Sequence, residues 1–175
     1  MIGMPNSKLL TIAVPAYNAA SYLHTCLDSL VQSGDEVEVL VVNDGSKDGT
    51  LQVARDYAER YPSIVVAVDQ ENRNWGGAVN HALELASGTF FYIVDSDDWL
   101  DSSKLTEAVS RLRMLEEQQA GVDLYMVNYV YNRVENGDRH TISYEKLLPN
   151  DKVVGWDAMN NPSLDQYIMI HSAMY

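Results

Sequence analysis

The chain has 175 residues, 46% of them apolar, which suits one domain with its own core. Twelve Lys and Arg stand against 25 Asp and Glu, a formal net charge of −13. That balance argues against nucleic acid and anionic membrane surfaces, which are held by cations neutralising phosphates. One cysteine, Cys26, excludes an internal disulfide framework and a cysteine-rich zinc site.

No charged-then-apolar leader opens the chain, and its longest apolar runs, such as Phe90 to Val94, fall far short of a bilayer span. Asn161-Pro162-Ser163 is no glycosylation sequon, because proline blocks it. The expectation is a soluble cytoplasmic chain with no transmembrane segment.

Leu9 to Val14 is a β-rich run stopped by Pro15, which has no ladder donor. Ala20, Leu23, Leu27, Leu30 and Val31 fall on one helical face, ended by Ser33-Gly34. Val37 to Val42 predicts a second strand, and Leu51, Ala54, Ala58 and Tyr61 a second helix closed by Pro62. Ile64 to Val68 predicts a third strand; Val79, Ala82, Leu83 and Ala86 mark a third helix ended by Gly88. Phe90 to Val94 is the fourth strand. Leu105, Ala108, Val109, Leu112 and Leu115 form a long helical stripe, and Leu124 to Val130 a fifth strand. Glu135-Asn136-Gly137-Asp138 reads as a hairpin turn. Strands apolar on both faces, alternating with amphipathic helices, predict an α/β fold: a mostly parallel sheet flanked by helices.

In such sheets ligands bind outside the carboxyl ends of the strands. Those ends carry Pro15-Ala16-Tyr17-Asn18, Asn43-Asp44-Gly45-Ser46, Asp69 to Asn74 and Asp95-Ser96-Asp97-Asp98. Three carboxylates in four residues repel one another unless a cation sits among them, and hard oxygens suit Mg²⁺ or Mn²⁺. The plainer alternative is a solvated turn in which Asp98 or Asp101 caps the next helix. Asp44-Gly45-Ser46-Lys47-Asp48-Gly49 superficially matches a calcium loop, but Arg55 stands where the bidentate Glu belongs. Ser46 or Asp48 capping a helix explains that segment except for Asp44, which could accept a ring N–H from a ligand.

Asn74-Trp75-Gly76-Gly77 leads into a helix whose amino end favours an anion, although glycine pairs often serve only as turns. It lacks the Gly-Lys-Ser/Thr of a phosphate loop. Tyr17 can stack on a base or sugar, or simply pack. His24, His81, His140 and His171 have no metal spacing and read as structural or surface residues. Cys26, beside Leu23 and Leu27, reads as a small hydrophobe.

Taken together, the four strand ends resemble the inverting family 2 glycosyltransferases of the GT-A (Rossmann-like) fold. The matching segments are Val14 to Asn18, Val41 to Ser46, Asn72 to Asn80, and Asp95-Ser96-Asp97-Asp98, which looks like the family's DxD motif. The resemblance is strong over residues 9–115 and loose beyond. It implies a nucleotide-diphosphosugar donor, often a UDP-sugar, and a glycan or lipid-linked acceptor, the usual context being cell-wall, capsule or lipid-linked glycan synthesis.

By that resemblance Pro15, Ala16 and Tyr17 line the nucleobase and ribose pocket, and Asp44 bonds the base. Asn72 and Asn80 frame the donor loop, Asp95 and Ser96 lie at the ribose or sugar side, and Asp97, with Asp95, holds the divalent metal. Members often carry Gly at the Asn74 position and Arg at the Val79 position, so a cationic contact is missing unless Arg73 replaces it.

The family's general base lies in a later motif, and Asp157 and Asp165, the only acids after Asp151, match no version of it. The expected organisation is a single domain, 1–175, with a donor-binding part at 9–115 and an incomplete acceptor-side part at 116–175, the base lying beyond Tyr175. Without a base the segment would be a nucleotide-sugar-binding module lacking turnover. The expected location is cytoplasmic, peripheral at the inner membrane face in a full-length protein. A phosphotransferase with an aspartyl nucleophile is disfavoured, because Pro15-Ala16-Tyr17-Asn18 follows the first strand.

Overall fold

The computed structural model describes residues 8–133, 137–150, 152–160 and 170–175. Four parallel strands form the centre: β1 (Leu10–Ala16), β2 (Val37–Asp44), β3 (Val65–Gln70) and β4 (Phe90–Ile93), in the order β3-β2-β1-β4. All residues of β1, β2 and β4 are buried. Helices cover both faces, as strands largely apolar on each side require.

Helices α1 (Leu23–Leu30), α2 (Thr50–Arg60) and α4 (Ser102–Glu117) cover one face, packing Leu23, Leu27, Ala54, Leu105 and Leu112 onto Ile12, Val39, Val41 and Tyr92. The other face carries α3 (Asn74–Leu85), with Ala78, Val79 and Ala82 against Ala13, Leu40, Val42, Phe91 and Ile93. Ala78 and Ala82, one turn apart, are fully buried, so small side chains bring this helix close to the strands. Leu83, expected on that stripe, is exposed, since it projects past the edge defined by those two alanines.

Chain order reverses between β1 and β4, because β2 and β3 build to one side of β1 and β4 returns to the other. The crevice at that reversal, outside the carboxyl ends, is where this architecture places ligands. At the opposite end a buried polar cluster fixes the entry to β4. Thr11 donates its hydroxyl to Glu38, which also accepts the Ser87 amide at 2.6 Å, while the Gly88 amide donates to Thr11 Oγ1 at 2.9 Å.

The region after α4 departs from the expected fifth strand. Two short strands replace it, β5 (Tyr125–Met126) and β6 (Tyr129–Arg133). Asn128 lies between them and accepts the Tyr144 amide at 2.9 Å, a side-chain bond competing with a continuous ladder. Strand β6 pairs antiparallel with β7 (Asp138–Ile142), the arms of the expected hairpin, whose residues 134–136 lie outside the described set, as do Asp151, Asn161 to Ser163 and Asp165. Strand β5 pairs antiparallel with β8 (Ala173–Met174), and Tyr175 exchanges backbone bonds with Phe91 at 2.6 and 3.0 Å, covering the outer edge of β4. Among the described residues no helix is long and apolar enough to cross a membrane.

Candidate active site

A cavity of about 500 Å³ opens at the reversal, lined by Pro15, Ala16 and Tyr17 from the end of β1, Asp44 from β2, and Asp95, Ser96 and Asp97 from the loop after β4. Asn72, Asn74, Trp75 and Ala78 close it from the β3–α3 connection. Segments far apart in sequence, from Pro15 to Asp97, meet here because the parallel register aligns strand ends: Ala16 lies opposite Asn43, and Asp44 opposite Gln70.

Asp44 is almost fully buried, and its carboxylate is held through one oxygen. Oδ1 accepts from Gln70 Nε2 and from the Arg73 amide, each at 2.7 Å, so Oδ2 is the oxygen available to a ligand. Gln70 Oε1 lies 2.6 Å from His81 Nδ1. Because Asp44 can only accept, the Gln70 amide nitrogen must face it, its oxygen faces His81, and Nδ1 carries the proton. His81 therefore has a structural task behind the site.

The loops after β2 and β3 meet backbone to backbone. Gly45 adopts φ 69°, and a Cβ there would lie 2.8 Å from the Asn72 amide nitrogen. Asn72 returns its side-chain amide to the Asp44 carbonyl at 2.9 Å. Asn74 has φ 63°, in the left-handed region where asparagine is tolerated, which explains why glycine suits that position.

The three aspartates of the β4 loop divide. Asp95 Oδ1 accepts the Trp75 indole N–H at 2.7 Å, and its carbonyl accepts the Asp98 amide at 2.9 Å. Asp97 is exposed on the cavity lining, whereas Asp98 lies outside that lining. Beneath them Cys26 is buried, and burial, reinforced by Asp98, Asp97 and Asp95, pushes its thiol up to about 12. It is a neutral packing group, not a nucleophile. Asp101, and not Asp98, caps α4, its Oδ1 accepting the Ser103 and Lys104 amides at 2.9 and 3.2 Å. Asp48, just before the Gly49 N-cap of α2, accepts the amides of Thr50 and Ala20.

Of the residues singled out in sequence, Pro15, Ala16, Tyr17, Asp44, Asn72, Asp95, Ser96 and Asp97 converge on the cavity. Asn80 does not; it is exposed on α3, away from the lining. The Arg73 side chain packs over Gly77 and is absent from the lining, which has three carboxylates and no Lys or Arg. The sequence reading of His81 as structural or surface agrees with its place behind the site, whereas Gln70 and Trp75, though inside segments singled out, have no role in it. Gln70 ends its strand opposite Asp44, a register that no local pattern reports.

Hard carboxylate oxygens are the right donors for Mg²⁺ or Mn²⁺, although no three acidic, histidine or cysteine side chains converge as a cage among the described residues. Such ions are commonly bound by one or two carboxylates together with substrate phosphates, so Asp97 and Asp95 fit that group.

Comparison with known proteins bears on the family and the fold. GlyA, a glycosyltransferase of Streptococcus pneumoniae, is 33% identical over 150 residues, 81% of this chain but 20% of GlyA. Staphylococcus aureus TarS, solved with UDP-GlcNAc, superposes with a TM-score of 0.56 at 30% identity over 66% of this chain and 33% of its own. The mannosyltransferase PcManGT of Pyrobaculum calidifontis, solved with GDP-Man and Mn²⁺, gives a TM-score of 0.52 at 29% identity over 60% of this chain and 32% of its own. The chain thus spans a third or less of the length of these relatives, and its fold is the GT-A α/β architecture they share. Residues 11–169 match the profile of glycosyl transferase family 2, and the chain belongs to that family.

Proposed function

We propose that residues 9–115 bind the donor in a metal-dependent glycosyltransferase that moves a sugar, with inversion, from a nucleotide diphosphosugar to a glycan or lipid-linked acceptor. The carrying observation is the convergence of Tyr17, Asp44, Asp95 and Asp97 on one cavity at the sheet's reversal point. A UDP-sugar is the favoured donor, and cell-wall or capsule polymer synthesis the favoured context. The TarS complex with UDP-GlcNAc supports that reading.

Tyr17, half-exposed on the lining, offers a ring face to the nucleobase, and Asp44 Oδ2 accepts its ring N–H. Asp95 receives hydroxyls on the ribose or sugar side. Asn74 and Trp75 at the amino end of α3 line the cavity, where the helix dipole favours the diphosphate. Asp97, with Asp95, holds Mg²⁺ or Mn²⁺, which supplies Lewis-acid stabilisation of the departing nucleoside diphosphate. An acidic lining without Lys or Arg needs that divalent charge to accept a diphosphate. Inversion also requires a base at the acceptor hydroxyl. Asp157, exposed in the 3-10 turn Trp156–Ala158, does not line this cavity.

Calorimetry with UDP, with and without Mn²⁺, tests the reading. Binding should require the metal and disappear in Asp97→Ala. Metal-independent binding would remove Asp97 from its assigned role, and failure of every nucleoside diphosphate to bind would overturn the donor site itself.

A further inference from the structure

Trp75 stands in the first turn of α3, lines the cavity and is 44% exposed. Its one polar atom is already occupied, since the indole N–H donates to Asp95 Oδ1 at 2.7 Å. An exposed indole on a cavity wall, with its polar edge anchored, presents apolar ring surface and little else. The neighbouring residues keep it there: Asn74 turns the chain at φ 63°, and Gly76 has no side chain to cover the ring.

The juxtaposition with Asp95 indicates what that surface meets. A carboxylate with one oxygen still available accepts ring hydroxyls, while an adjacent aromatic wall covers the C–H face of the same ring. Together they are complementary to a pyranose or furanose ring, which presents hydroxyls at its edge and C–H groups on its face.

Resting on the donor-site reading above, we propose that Trp75 is a specificity-determining contact for the sugar-bearing half of the donor. Its ring packs on that sugar, and its N–H orients Asp95 so that Oδ2 faces the hydroxyls. A role limited to anchoring Asp95 would leave the ring surface without consequence, and the two roles separate experimentally.

The test uses a chain in which Trp99 and Trp156 are replaced by Phe, leaving Trp75 as the only indole. UDP, UDP-GlcNAc, GDP and GDP-mannose are titrated in Mg²⁺, by calorimetry and by tryptophan emission. Trp75→Phe and Trp75→Ala are compared by calorimetry in the same background, and urea midpoints establish that each is folded. The nucleotide sugar that binds should shift Trp75 emission in step with the calorimetric isotherm, and more than its nucleoside diphosphate does. Trp75→Ala should weaken the nucleotide sugar about tenfold more than the nucleoside diphosphate. Trp75→Phe, which keeps a ring but loses the N–H, should retain most of that difference.

Equal losses in the Phe and Ala variants would reduce Trp75 to an anchor for Asp95 and overturn the proposal. So would emission that stays constant while calorimetry shows saturation. If none of the four nucleotides binds the parent chain, the donor-site reading fails instead.

Discussion

Gln70 donates its Nε2–H to Oδ1 of Asp44 at 2.7 Å while its Oε1 faces Nδ1 of His81 at 2.6 Å, so a histidine on α3 fixes a carboxylate at the end of β2. The relay spans two strands and a helix, and it selects which Asp44 oxygen faces the cavity. Gln70→Glu preserves shape but places a second carboxylate against Asp44. A hydrogen bond to a charged group contributes roughly 1.5–3 kcal/mol, so UDP affinity should fall at least about tenfold. Calorimetry beside a circular dichroism spectrum checks this; unchanged affinity in a folded variant would remove the relay from the binding site.

Cys26 offers a second check. Its thiol is pushed up to about 12 from an ordinary 9.0, chiefly by burial and then by the nearby aspartates. The fold thus favours the protonated thiol. This contribution to stability is complete below pH 9 and is lost as pH rises from 9 toward 12. Iodoacetamide at pH 8 should leave native protein unlabelled over hours and label it readily in urea. Stoichiometric labelling of the native chain would contradict the burial described.

Much of this arrangement was legible in sequence because it rests on local rules. The apolar runs of β1, β2 and β4 could be read directly, since a strand buried on both faces is apolar at most positions on each. Placing ligands at strand ends then singled out Tyr17, Asp44, Asp95 and Asp97 without coordinates. What escaped depended on contacts across the chain. Gln70 and His81 matter only because β3 lies beside β2 and α3 lies over it, and Trp75 only because α3 reaches the loop after β4. The split of the fifth strand hangs on one amide of Tyr144, sixteen residues from Asn128, a distance no hydropathy period reports.

Asp48 ties the loop before α2 to the turn before α1. It accepts from the Thr50 amide at 3.0 Å and the Ala20 amide at 3.1 Å. Its carboxyl is held below the usual 3.8, first by the Thr50 hydroxyl and then by these amides. A lowered carboxylate stabilises the fold above pH 3.8, and that contribution fades as pH falls through its folded value. Asp48→Ala should therefore lower Tm at pH 7, and the gap from the parent should narrow as pH falls below 3.8. A gap that persists undiminished in acid would assign the effect to something other than the ionised carboxylate.

Two glycines make opposite predictions from the same substitution. A Cβ on Gly88 would lie 2.5 Å from the Thr11 amide nitrogen and 2.7 Å from its hydroxyl, in the buried cluster that fixes the start of β4. Backbone cannot yield there cheaply, because Thr11 is paired with both Glu38 and Phe91 in the sheet. Gly88→Ala should cost about 1–3 kcal/mol through overpacking, and more if the Gly88–Thr11 hydrogen bond is lost as well. Gly76 lies inside α3, and a Cβ there meets nothing within 4 Å. Gly76→Ala should instead stabilise by about 0.5–1 kcal/mol, since alanine loses less backbone entropy in a helix. Urea unfolding of both variants reads the two signs in one experiment. A stable Gly88→Ala would mean that the β1–β4 junction has room the close approach denies, and a destabilised Gly76→Ala would mean that the first turn of α3 is not helical in solution.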